Sequence, residues 1–287
     1  MEPHIVKARP GVLGGYAEEK RPLRERVALP VKRYIFINKD SHPEADVYIA
    51  IHAAQDLPAT VPDYQVSHCH NTDEFYFFIG ARPDLTGLEG QIKFEGRIHR
   101  IVSPATVYIP AGTVHEYKVT SGAGYVVVLF RSRGYTHVDR QPDFHLGDRE
   151  VERFAGYILK PEIRRTSEIK AHRDDAPGIR YVFVDAKIKQ EAGFYTAVRA
   201  VRNLNDAKAE YVDKHKHNCD TYHIAIGTGA NLAGLRTEFV IGEKRTVAES
   251  PVGVHVPAGV AHSQKILSGS GQFFNFVPKG VYNESLV

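Results

Sequence analysis

The stretch SHCHNTDEFYFFIG, Ser67 to Gly80, decides how this chain is read. His68 and His70 stand two apart, and Glu74 follows four residues later at the head of an aromatic run. Alternate side chains of a strand share a face, so His68 and His70 point one way and Cys69 the other. Asn71 to Asp73 read as a turn that returns Glu74 to the histidine side. With Glu74 facing inward, Tyr76 and Phe78 face inward too, as candidate walls of a substrate pocket. Phe75, Phe77 and Ile79 take the opposite face and are also apolar, the pattern of a strand buried on both sides.

The phrase recurs. DKHKHNCDTYHIAIG, Asp213 to Gly227, repeats it at an offset of 147 residues. His68 and His70 map to His215 and His217, Asp73 to Asp220, and Gly80 to Gly227. IPAGTVH (Ile109 to His115) maps without a gap to VPAGVAH (Val256 to His262), and RYIFIN (Arg33 to Asn38) maps to RYVFVD (Arg180 to Asp185). In each half the histidine after PAG lies 45 residues beyond the second histidine of the pair. Register held over such a span marks a duplicated domain. The join is expected in HLGDREVERFAGYILKPE, around Glu150, where charge density rises and a short helix is predicted. This gives domains 1–148 and 149–287. The segment before Leu29, rich in Pro, Gly and Arg, reads as an arm that packs on the other half or on another subunit.

Strand signals dominate both halves. RYIFI, VYIAI, EFYFFIG, TVYIPAG, YVVVLF, YHIAI and GQFFNFV are short, rich in β-branched and aromatic residues, and bounded by Gly, Pro, Asn and Asp. Each half is therefore expected to be all-β with few short helices, its edges closed in a barrel or double-sheet jelly roll.

Pro110 and Gly112 set a tight turn, and His115 follows on the next strand. Neighbouring strands then bring His68, His70, Glu74 and His115 together, a nitrogen and carboxylate set suited to a divalent first-row metal with open positions. With 15 histidines in the chain a lone HxH means little; the joint spacing carries the reading. In the second half Thr221 replaces Glu74, leaving His215, His217 and His262 as a three-histidine site. Asp220 is not read as a ligand, because its twin Asp73 stands beside a Glu already in place. Thr221, His223 and Ala225 face inward there, so the second pocket is expected to be more polar and less filled. His223 reads either as a core histidine or as a ligand or acid–base group.

HCHNTDE (His68 to Glu74) and PAGTVH (Pro110 to His115) resemble the two motifs of the cupin superfamily. HKH (His215 to His217) and PAGVAH (Pro257 to His262) repeat them, so the chain resembles a two-domain cupin, a bicupin. The resemblance implies two tandem jelly-roll barrels and a divalent transition metal. Iron is the first choice, with Mn, Ni, Zn or Cu as others, and a second ion is less firmly implied in the C-terminal barrel. Resemblance to cupin dioxygenases implies an oxidoreductase acting on a small organic substrate in the N-terminal barrel. The alternative is a redox-neutral isomerase, decarboxylase or lyase whose metal acts as a Lewis acid, with Glu74 or His223 moving a proton. A further alternative is a bicupin that binds a small molecule without turnover.

Composition narrows the partners. Of 287 residues, 43% are hydrophobic and 25% charged, and the net charge of +3 is spread without a basic block, so no nucleic acid is expected. No apolar run approaches a membrane span, so no membrane partner is expected, and the start lacks a signal-like apolar core; a cytoplasmic protein is expected. Cys69 and Cys219 are not equivalent positions of the repeat and read as free thiols. The strand that is apolar on both faces predicts a homodimer or higher homo-oligomer. No nucleophile elbow, P-loop or dinucleotide fingerprint is present, so the functional reading rests on the metal.

Overall fold

The computed structural model describes residues 5–11, 30–55, 57–135, 138–143, 148–205 and 210–287. Residues 12–29 of the expected arm and 144–147 of the expected join lie outside them. Two compact units emerge: Arg9–Lys160, and Pro161–Val287 together with Met1–Ala8.

The first unit is a jelly roll of two antiparallel sheets. One has five strands, in the order Val138–Asp139, His68–Cys69, His115–Gly122, Leu88–Phe94, Arg97–Val102. The other has seven, with Glu74–Gly80 between Ala105–Ile109 and Gly124–Phe130. Side chains from both sheets meet in one core cluster that includes Tyr48, Tyr76, Phe78, Phe94, Tyr117 and Phe130. Phe75, Phe77 and Ile79 are fully buried yet outside that cluster, as alternation along the strand requires.

The second unit repeats the architecture with a difference. His262–Val277 runs as one strand of 16 residues, whereas its first-unit counterpart is split into His115–Gly122 and Gly124–Phe130. The long strand ties the unit into a single nine-stranded antiparallel sheet. Its core is divided, with one cluster around Phe239 and Phe273 and another around Tyr195 and Tyr282. The cause is legible in the offset: Tyr76, Phe78 and Tyr117 of the first unit are His223, Ala225 and Gln264 here.

By their internal packing the units divide at Ala8/Arg9 and Lys160/Pro161. Two contacts explain where these divisions fall. Phe154, on the helix Asp148–Ala155, is fully buried in the first core, its ring 5.3 Å from that of Phe94. Ile5–Lys7 pairs with Val252–Val254 and so extends the second unit's sheet. No helix among the described residues is long and apolar enough to cross a membrane.

Candidate metal centres

The PAG turn places the third histidine of each centre, and a carboxylate holds that turn. Asp73 accepts hydrogen bonds from the Ala111 amide (2.9 Å) and the Tyr108 hydroxyl (3.1 Å). The Gly112 amide donates to the His70 carbonyl at 2.7 Å, and its φ of +80° is the left-handed conformation that glycine adopts without strain. The second unit repeats every contact. Asp220 accepts from Ala258 N (2.9 Å) and His255 Nε2 (2.7 Å), and Gly259 N donates to His217 O at 2.8 Å. Asp220 thus holds a turn. His115 lies opposite His68 in antiparallel register, and His262 opposite His215.

In the first unit His68, His70 and His115 are buried, and each offers a ring nitrogen within 4.8 Å of the other two. His68 Nδ1 donates to the Val66 carbonyl at 2.7 Å and His115 Nδ1 to the Thr113 carbonyl at 2.9 Å. These bonds fix the tautomer that leaves a lone pair on Nε2. Glu74 Oε2 lies 2.8 Å from His115 Nε2 and 3.4 Å from His70 Nε2. Neither Glu74 Oε2 nor His115 Nε2 completes a hydrogen bond, so the two atoms are close without being aligned on each other. Burial works against ionisation of Glu74, but the His70 and His115 rings outweigh it and hold the carboxyl below its usual range. Burial, and then His115, lowers the His68 pKa to about 3, so that ring is neutral at pH 7. A buried carboxylate and three inward-facing imidazole nitrogens are the donor set a divalent ion requires.

Around this centre the structure sorts the two aromatic candidates. The Tyr76 ring is 6.0 Å from His115 and 4.5 Å from Tyr117. Phe78 lies deeper in the core, where it fills the space over Gly90; a Cβ there would stand 2.6 Å from its ring. Tyr76 therefore borders the centre and Phe78 supports it from below. Sequence reasoning missed Tyr135, whose hydroxyl is 3.5 Å from His68 Nε2 and whose ring is 5.4 Å from His70.

The second centre gathers His215, His217 and His262, again with ring nitrogens within 4.8 Å of one another. Their Nδ1 atoms donate to Asp213 O (2.8 Å), Ser285 Oγ (2.6 Å) and Val260 O (3.2 Å). Burial lowers His217 and His262 to about 3. Thr221, at the Glu74 position, is buried, and its hydroxyl has no hydrogen-bond partner among the described residues. Tyr282 reaches this centre, its hydroxyl 3.0 Å from His215 Nε2 and 3.4 Å from His217 Nε2. Burial raises the Tyr282 pKa well above its ordinary value, so the phenol keeps its proton and donates it. Tyr135 and Tyr282 stand 147 residues apart, so extending the register of the repeat past His262 was the signal that would have found both. His223 lies alongside, its ring 5.8 Å from His262 and 5.5 Å from Phe273. Neither ring nitrogen of His223 has a hydrogen-bond partner among the described residues, and burial lowers its pKa well below the usual value.

No protein-family model matches the sequence, and no curated protein matches it. Solved structures do. A deletion mutant of Bacillus subtilis oxalate decarboxylase aligns at 12% identity over 89% of this chain and 74% of its own, with a TM-score of 0.58. An oxalate decarboxylase studied for its substrate-binding mode aligns at 13% identity, over 90% and 75% of the two chains, with a TM-score of 0.58. The Bacillus subtilis enzyme described with Mn(II) centres aligns at 12% identity, over 90% and 75%, with a TM-score of 0.57. At such identity the likeness is one of fold, and it shows tandem cupin barrels. These neighbours are decarboxylases, one of them described with manganese, which matches the redox-neutral alternative above rather than the iron dioxygenase put first.

Proposed function

We propose that this two-barrel cupin is a metal-dependent, redox-neutral enzyme, a decarboxylase, isomerase or lyase acting on a small organic acid. His68, His70, Glu74 and His115 would hold the ion, with Mn(II) preferred. One observation carries the reading: Glu74 Oε2 and His115 Nε2 are buried 2.8 Å apart with neither completing a hydrogen bond. Leaving such atoms unsatisfied costs about 1–3 kcal/mol each, which a cation bound between them would recover. The fold neighbours favour the redox-neutral branch over the dioxygenase branch, and manganese over iron.

A bound divalent ion supplies Lewis acidity that polarises a carboxylate or carbonyl. The chain's own groups supply the rest. Glu74 stays ionised and balances part of the positive charge. The bonds to Val66 and Thr113 hold the His68 and His115 rings in one orientation. Tyr135 presents an O–H beside His68, placed to give a proton to a substrate seated there. Tyr76 and Phe130 narrow the space and exclude water, which strengthens every charge interaction inside. In the second barrel the three histidines would hold an ion more weakly, because no carboxylate stands at Thr221.

The test is turnover of a panel of small hydroxy- and keto-acids by manganese-loaded protein under strictly anaerobic conditions. Expected are turnover without oxygen, its loss in His115→Ala, and near-stoichiometric metal at the first barrel. Activity that appears only with iron and consumes dioxygen would restore the oxygenase reading.

A further inference from the structure

The second barrel holds a feature the first lacks. Arg180 and Arg199 sit directly opposite each other on paired antiparallel strands, Ile179–Val184 and Tyr195–Leu204. Like charges in that relation repel. In the first barrel the same two positions are Arg33 and His52, also directly opposite, with Arg33 Nε donating to His52 Nε2 at 3.0 Å. Burial, reinforced by Arg33, lowers the His52 pKa well below its usual value, so that pair carries one charge. The second barrel carries two.

Both guanidiniums line a cleft inside the second unit, together with His172, Gln264 and Asn275. Arg180 is only 6% exposed. Its Nη atoms donate to Arg165 O and the Tyr195 hydroxyl, while its Nε has no partner among the described residues. Arg199 lies over the Tyr211 ring and donates to Thr166 Oγ1 and the Pro177 carbonyl. Every acceptor is neutral; among the described residues neither guanidinium has a carboxylate partner, and no acidic residue lines the cleft. The carbonyl oxygens of Gln264 and Asn275 are buried and lack donors among the described residues. Opposed, partly desolvated cations with no carboxylate bonded to them are costly, and so are acceptors without donors.

We propose that this cleft is a binding site for a small hydroxy-carboxylate. The carboxylate offsets the Arg180–Arg199 charges, and a hydroxyl group donates to the carbonyl oxygen of Gln264 or of Asn275. The cleft adjoins the three-histidine centre through His172, whose ring is 5.3 Å from that of His215. The chemistry that turned Tyr76, Phe78, Tyr117 and His52 of one barrel into His223, Ala225, Gln264 and Arg199 of the other exchanged a filled apolar interior for a cationic one. The site stands independently of the first-barrel centre.

The test is calorimetric titration of the whole metal-loaded protein with malate, succinate and inorganic phosphate, which needs no turnover. In His115→Ala, whose first centre is disabled, malate should still bind, at one site per chain and at least fivefold more tightly than succinate, which lacks the hydroxyl. Arg199→His recreates the pair the first barrel already accommodates, so its fold is safe; it should weaken malate binding at least tenfold. Arg199→Lys keeps the charge and should retain most of the affinity. Equal malate affinity in wild type and Arg199→His, or no malate binding at all, overturns the proposal. Phosphate binding more tightly than malate overturns its assignment to a carboxylate.

Discussion

Asp73 offers a sharp test of how the first centre is built. It touches no proposed ligand side chain, yet it holds the turn from which His115 emerges. Asp73→Ala removes two acceptor contacts, to Ala111 N at 2.9 Å and to the Tyr108 hydroxyl at 3.1 Å. Hydrogen bonds to a charged group are worth about 1.5–3 kcal/mol when buried. Asp73 is only half-buried, so about 1–3 kcal/mol in total is the expected loss. If about 1.4–2.7 kcal/mol of that is ordering of the turn, metal affinity at the first centre falls about 10–100-fold, the usual effect of removing a group that orients a ligand. Asp220→Ala should act equally, but on the second centre alone. The assay is metal per chain against free metal concentration for each variant, with urea unfolding alongside. Normal first-centre affinity in Asp73→Ala, or loss at both centres from one substitution, would refute the idea that each turn is held by its own carboxylate.

Other outcomes follow from the same geometry. Phe154→Ala empties a fully buried ring position against Phe94 and should cost about 3–5 kcal/mol, read as a lower urea midpoint. In metal-stripped protein His68 and His262, with folded pKa values of about 3 against about 6.5 unfolded, leave the unfolded state binding more protons between those limits. Stability should be flat above about pH 7 and fall as pH drops through that window, by about 1.4 kcal/mol per pH unit for each ring; urea midpoints from pH 7 to 4 check it. Chelation of ion held at a hundredfold excess over its Kd should remove about 2.7 kcal/mol, seen as a melting temperature lower by roughly 5–10 °C.

The duplication and the histidine sets were legible because their spacing survives as text. HxH places two rings on one strand face, and a PAG turn returns the chain beside it; both are local rules. Features that depend on which strand lies beside which were not legible. The Arg180–Arg199 opposition exists only once the pairing register is known. Tyr135 follows a loop and Tyr282 opens a short 3-10 turn, and the residues before them differ, RSRGY against PKGVY, so the numerical offset is what links them. Charge density marks a surface segment, whereas what ties residues 152–160 and 5–8 to their units is one buried ring and one three-residue strand.

That short strand bears on any attempt to study the second barrel alone. Ile5–Lys7 covers Val252–Val254, which lies at the margin of the sheet. A fragment beginning at Pro161 would present that row of amides and carbonyls bare, on a segment that reads VGVHV and is buried throughout. Exposed apolar margins of this kind recruit other chains. Such a half-molecule should aggregate unless the first eight residues are supplied as a peptide or spliced back through a linker.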